Sequence, residues 1–305
     1  MFINQGNAVR VVLKYCKVPS STWYKRQLKN EKDGRSKNKG RPIPGYTINP
    51  DNTIVLDSSA VKALRVIRSR VFFTRAGGYH KLTKYIRRDY GFYINHKKIY
   101  RLCTENGLLL PKKKKQKRRG KKICENRKVT GPNQLWQFDI KYGYIHGENR
   151  FFFLMAFIDV FTREIRDYHI GLCCKASDII FTLENALKKH RIDESNLVIR
   201  SDNGTQMTSH MFKKFIESKE LEHEFTPPST PNLNAFIESF FSIVETELFQ
   251  ANIFESYGEA YEKTILFIKH YNENRIHGSL DYKTPNEFGK SWTEKEELRQ
   301  KELRA

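Results

Sequence analysis

From residue 131 onward the chain runs through three apolar, aromatic stretches, NQLWQFDIKYGYI, NRFFFLMAFIDVF and REIRDYHIGLC, with the short connections HGE and FTR between them. Runs rich in aromatic and β-branched residues between turns read as strands. Connections this short favour an antiparallel meander. KASDIIFTLENALKKHRI then shows helical spacing at Ile179, Leu183, Ala186 and Leu187. NLVIRSD reads as a short, wholly apolar strand of the kind that takes a parallel, central position. SHMFKKFIESKEL reads as a helix, LEHEFT as a strand, PPSTPN as a break and residues 234–250 as a long helix. The order βββ-α-β-α-β-α predicts an α/β fold, a mixed sheet of five strands flanked by helices.

Three carboxylates sit oddly in that pattern. Asp139 interrupts LWQFDIKYGYI, Asp202 ends NLVIRSD, and Glu238 lies in the helical stretch NAFIESFFSIVETEL. A carboxylate in a buried strand is costly unless it is paired or binds a metal. Two strands and a helix delivering three acids match the needs of a two-metal phosphoryl-transfer site. Magnesium, with Mn2+ as its substitute, prefers such oxygen donors. Asp139 is the candidate bridge between two ions, with Asp202 and Glu238 holding one each. Glu238 is one step, about 100°, round the helix from Ile237, which shares an apolar stripe with Phe241, Val244 and Leu248. That places it at the margin of the buried face. Asp159, in AFIDVFTRE, is the rival acid; it precedes a turn and reads as a turn cap or an arginine partner. His210, His223 and His277 share no metal-ligand spacing. Asn203 and Gly204 follow Asp202 and suit a tight turn that a nucleic-acid strand can approach.

Charge divides the chain. Residues 1–130 hold 34 Lys and Arg against 7 Asp and Glu, net +27; residues 131–305 hold 21 against 27, net −6. A basic half beside a slightly acidic one suggests binding of a polyanion by the first and chemistry on it by the second. Residues 1–29 read as an N-terminal helical segment and 30–57, rich in Gly, Pro, Lys and Asn, as a linker. Residues 58–110 read as three helices broken at Gly77-Gly78 and Gly91, with Asn95 as an N-cap and Gly107 as a stop. This is a small all-α, helix-turn-helix-like domain, and its last helix offers Lys97, Lys98 and Arg101 to DNA. Residues 111–130 form a basic linker; Lys112, Lys113, Lys114, Arg118 and Arg119 are candidate phosphate contacts. The catalytic core is assigned to 131–290 and a charged tail to 291–305.

Cys16, Cys103, Cys124, Cys173 and Cys174 form no CxxC pair and have no histidine at zinc spacing, so they read as free thiols of a reducing compartment. No apolar stretch nears the ~18–20 residues that span a bilayer. The N-terminus lacks a signal-peptide core. The expected location is the cytoplasm, with no membrane partner.

WQFDIKYGYI, IDVFTREI, SDNGTQMTS, NAFIESFFS and YNENRIHGSLDYKTPNEF, in that order, resemble the insertion-sequence transposases of the IS-three group, in the product of their second reading frame, OrfB. That core is similar to retroviral integrases. The resemblance implies an RNase H-like fold, a DDE triad of Asp139, Asp202 and Glu238, and a helix-turn-helix segment over 58–115. It implies a substrate of double-stranded DNA, the element's terminal inverted repeats and a target. It also implies partnership or fusion with the upstream OrfA product, and a homo-oligomer that joins two ends. The family commonly carries Lys or Arg seven residues after the catalytic Glu; Glu245 stands there in this chain. The zinc-binding module of retroviral integrases is absent, so zinc is not expected. The expected function is a DNA transposase that cleaves element ends and joins the freed 3′-OH to target DNA. The alternatives are a metal-dependent nuclease of the same fold and a non-catalytic DNA-binding regulator derived from a transposase.

Overall fold

The structure is a computed structural model that describes residues 6, 8–23, 44–70, 72, 77–110, 126–227 and 233–304. The chain divides into two compact units, 1–47 and 48–305. In the first, helix α1 (Val9–Tyr15) buries Leu13. Two three-residue strands, β1 (Tyr46–Ile48) and β2 (Ile54–Leu56), flank a turn in which the Asn49 N–H donates to the Thr53 carbonyl at 2.9 Å. The stretch expected to be a linker thus ends in regular structure.

Three helices follow: α2 (Asp57–Arg68), α3 (Tyr79–Tyr90) and α4 (His96–Glu105). Their apolar residues recur at helical spacing, Ala60-Leu64-Ile67, Leu82-Ile86 and Ile99-Leu102, and all of these are buried in one cluster. Gly91 ends α3 in the left-handed conformation, φ +65°, which a glycine adopts without steric cost. Asn95 caps α4 by accepting from the Lys97 N–H at 2.8 Å, as its position in the sequence predicts.

The second part is a five-stranded sheet of β3 (Leu135–Ile145), β4 (Arg150–Asp159), β5 (Ile165–Gly171), β6 (Val198–Ser201) and β7 (Glu222–Phe225), in the order β5-β4-β3-β6-β7. The first three strands form the antiparallel meander; β6 pairs parallel to β3, and β7 parallel to β6. Helices α5 (Ala176–His190) and α6 (His210–Ser218) make the crossovers and pack with Trp136, Phe138 and Phe157 on one face. Helices α7 (Ala235–Val244) and α8 (Tyr257–Glu273) cover the other face, over Phe152, Leu154 and Ala156. This is the mixed five-stranded sheet flanked by helices that the sequence predicts. β6 is not wholly apolar: Arg200 lies within it, 3% exposed, tied to Glu224 of β7 at 2.6 Å.

α7 does not continue as an α-helix to residue 250; Glu245–Phe249 forms a π-helical turn. Helix α9 (Pro285–Arg304) crosses residue 290 without a break, so the division drawn there falls inside an element. The helical domain seats on the segment between α8 and α9. Ile276, 1% exposed, belongs to its apolar cluster. The Tyr85 hydroxyl donates to the Asn274 carbonyl and accepts from the Ile276 N–H, both at 3.1 Å. Beside this seat Arg275 grips Glu247 through two hydrogen bonds of 2.8 and 3.1 Å, both side chains buried.

Among the described residues no helix is long and apolar enough to cross a membrane. Cys16, Cys103, Cys173 and Cys174 are free thiols; Cys124 lies outside the described residues.

Candidate active site

Alternation along β3 puts Gln137, Asp139, Lys141 and Gly143 on the face covered by α7, and Tyr142 and Tyr144 on the other. The tyrosines therefore stand away from Asp139. Register places Gln137 beside Arg200, so Asp202, just past the end of β6, lies alongside Asp139. α7 presents Glu238 in its first turn, on the exposed side of the buried Ile237.

The charges of Asp202 and Glu238 are felt at Asp139. The Asp139 carboxyl is pushed up to about 6. Burial is the largest cause, and the negative charges of Asp202 and Glu238 add to it. The Ile140 backbone N–H, 2.7 Å away, and the Lys141 ammonium pull the other way. The Asp202 carboxylate accepts from the Gly204 N–H at 3.0 Å, which turns the loop after β6 back on itself. Asp202 and Glu238 are exposed, so the site opens to solvent and to a long polymer.

An all-carboxylate donor set of this kind suits a hard divalent cation such as Mg2+ or Mn2+. The mutual repulsion felt at Asp139 is what a bound cation would relieve. The acids are spread rather than closed: among the described residues no three His, Cys, Asp or Glu side chains stand within reach of a single ion.

Asp159 behaves as its turn position predicts. It is fully buried, accepts from the N–H groups of Asn133 (2.7 Å), Phe161 (2.7 Å) and Thr162 (2.9 Å), and meets Arg166 at 3.2 Å. It is saturated with donors and is structural.

Comparison with known proteins agrees with this geometry. Two family models described as integrase core domain match residues 129–231 and 219–285, and one described as HTH-like domain matches 62–116. The chain belongs to the integrase core domain family, whose two models together match residues 129–285, and it is similar to proteins of insertion sequences. It is 29% identical, over 72% of its own length and 62% of the other's, to an uncharacterized 39.2 kDa protein of insertion element IS476 from Xanthomonas euvesicatoria. It is 29% identical to the transposase for IS904 from Lactococcus lactis, over 53% and 64% of the two chains. It is 27% identical to the putative transposase InsK for IS150 from Escherichia coli, over 69% and 76%. The chain thus spans a little under two thirds of the first two relatives.

In this chain the expected DNA contacts are not brought together in one place. Lys97 is exposed on α4. Lys98 and Arg101 turn back onto Asp57 at 2.5 and 2.9 Å, and Arg101 also holds Glu105 at 3.0 Å. Asn203 is exposed beside the acids and donates to the Thr226 carbonyl at 3.2 Å. Lys112, Lys113, Lys114, Arg118 and Arg119 lie outside the described residues.

The structure adds three residues that the sequence reading passed over: Lys141, which meets Glu245 at 2.9 Å, and the buried pair Gln137 and Arg200. A signal for the last two was present. Each is a polar residue inside an otherwise apolar strand, two positions before a catalytic candidate, and a buried polar group must find partners.

Proposed function

We propose that this chain is a DDE transposase that cuts DNA at the ends of its element and joins the freed 3′-OH to a second phosphodiester. The observation that carries the reading is the placement of Asp139 on β3, Asp202 just past the end of β6 and Glu238 in the first turn of α7, on the side of the sheet that α7 covers, where the charges of Asp202 and Glu238 add to the rise of the Asp139 carboxyl. Asp139, Asp202 and Glu238 would hold divalent metal. When bound, it supplies Lewis acidity and an activated oxygen nucleophile for in-line displacement. Asp139, being the most buried of the three, fixes the floor of the site. The exposed pair leave room for a phosphodiester to enter from solvent. Tyr142 and Tyr144 face the opposite side of β3 from Asp139, so neither tyrosine is the nucleophile in this reading. The helix-turn-helix-like domain and the basic segment after it would supply sequence-independent grip on the duplex. Joining two ends calls for at least two copies of the chain, with the upstream-frame product as a further partner.

The test is strand transfer by the purified chain, with labelled terminal-repeat DNA and Mg2+ or Mn2+. Asp139→Ala, Asp202→Ala and Glu238→Ala should each abolish joined product and leave end binding in a gel-shift assay largely intact. Normal joining by the Asp202→Ala protein would sink the assignment. Hydrolysis without joining would point to a nuclease.

A further inference from the structure

The register of the parallel pair sets Gln137 of β3 directly beside Arg200 of β6. Each stands two residues before an acid of the site, on the same side of its strand as that acid. Gln137 is 0% exposed and Arg200 3%. Both reach to one atom. The Gln137 Nε2 donates to the Leu233 carbonyl at 2.6 Å, and the Arg200 Nη1 donates to the same carbonyl at 2.9 Å.

Gln137 does more. Its Oε1 accepts from the backbone N–H groups of Phe236 (3.1 Å) and Ile237 (3.2 Å). The first N–H groups of any α-helix lack intrahelical acceptors, and a side-chain oxygen of the N-cap residue ordinarily takes one of them. In α7 the N-cap residue Asn234 makes no such bond, and its Oδ1 is buried without a partner. The cap is instead supplied from the sheet, across about a hundred residues of chain. Arg200 is itself fixed, by two bonds of 2.8 and 2.6 Å to Glu224 of β7 and one of 2.8 Å to Asn126. Glu238 is the next residue after the second clamped N–H, and its own N–H donates to the Asn234 carbonyl at 3.2 Å.

We infer that Gln137 and Arg200 are positioning residues that set where Glu238 stands relative to Asp139 and Asp202. The strands that carry the two aspartates also hold the first turn of the helix that carries the glutamate. One rigid connection of a few bonds therefore spans all three acids. Without it the first turn of α7 frays, and Glu238 is the first side chain to drift.

This rests on the reading that the triad holds divalent cation, and the test separates the two. The full chain is studied without DNA by amide hydrogen exchange of the segment spanning residues 233–241 and by the rise in melting temperature on titrating Mn2+. Gln137→Ala should speed exchange in that segment, and should raise the Mn2+ concentration for half the melting shift by roughly tenfold, the scale set by loss of a helix cap. In a Glu238→Gln background, Gln137→Ala should no longer change the Mn2+ response, because the residue it positions is gone. Faster exchange with an unchanged Mn2+ midpoint would reduce Gln137 to a stability role and overturn the proposal. So would an effect of Gln137→Ala that persists in full in Glu238→Gln. If Asp139→Asn keeps the whole Mn2+ shift, the metal reading fails instead. Where Gln137→Ala does not fold, Arg200→Lys carries the same readouts; it keeps the charge for Glu224 and shortens the reach to Leu233, and an unchanged Mn2+ midpoint with it overturns the proposal as well.

Discussion

The Lys141 ammonium stands 2.9 Å from the Glu245 carboxylate, two residues along β3 from Asp139 and on the same face of the strand. Both side chains are about a third exposed, at 32% and 37%, so the pair adds little to stability, under about 1 kcal/mol. Its weight falls on the charge beside the acids: Glu245 holds the Lys141 ammonium, a cation that lowers the Asp139 carboxyl.

Glu245→Gln should release Lys141 to a phosphate. The expected outcome is several-fold tighter binding of end DNA at low salt. The slope of log affinity against log salt should steepen by about one unit. Lys141→Ala should do the reverse. Fluorescence anisotropy in EDTA across a salt series reads both, and unaltered slopes would mean the pair faces away from the duplex.

Asp139 should destabilise the metal-free protein. Its carboxyl rises from 3.8 to about 6 on folding. The folded state therefore keeps a proton that the unfolded state releases. Stability falls as pH rises from 3.8 to about 6, and the cost is complete above that. Two units correspond to about 3 kcal/mol at most, on the order of the burial that causes it. Asp139→Asn keeps an acceptor for the Ile140 N–H and removes the charge. It should melt several degrees higher than the parent at pH 8 in EDTA, with the difference vanishing near pH 4. An equal or lower melting temperature at pH 8 would contradict this.

His223 sets an acid limit of the opposite sense. Its ring lies between Phe212 and Phe225, with Nε2 2.9 Å from the Ser201 hydroxyl, and burial lowers it from 6.5 to about 4. The folded state disfavours the proton that the unfolded state accepts. The stability contributed is whole above 6.5 and is lost as pH falls toward 4. The melting temperature of His223→Gln, followed from pH 7 to pH 4, should decline less steeply than that of the parent.

Tyr85→Phe should loosen the seat of the helical domain. It strips partners from the Asn274 carbonyl and the buried Ile276 N–H, a cost of about 1–3 kcal/mol. Arg275→Met leaves Glu247 charged and buried without its hydrogen-bonded partner, at about 3–5 kcal/mol. Limited proteolysis should find new cleavage within α2 to α4 before the sheet is cut. Loss of both parts at once would show that they unfold as one.

What was legible in the sequence follows from its period. Strands of β3 to β5, the crossover helices and the Asn95 cap are local patterns, and each is where its residues place it. The acids announced themselves by interrupting apolar runs. What stayed hidden are contacts between residues far apart in the chain. Nothing near Lys98 or Arg101 foretells Asp57, 41 and 44 positions earlier. Nothing in NAFIESFF foretells that its cap is Gln137, or that Arg200, set in an apolar strand, holds the same turn. The π-helical turn at Glu245–Phe249 is likewise invisible to a count of 3.6.

Ile276 has a further consequence for anyone who would rebuild this protein. By sequence it belongs to the sheet-bearing part; by packing it is a core residue of α2 to α4. A fragment beginning at residue 126 bares an isoleucine to water and leaves the Asn274 carbonyl without the Tyr85 hydroxyl. A fragment of residues 48–110 keeps a slot with nothing to fill it. Exchanging the helical domain for that of a relative would have to carry residues 274–282 with it, like a plug moved together with its socket.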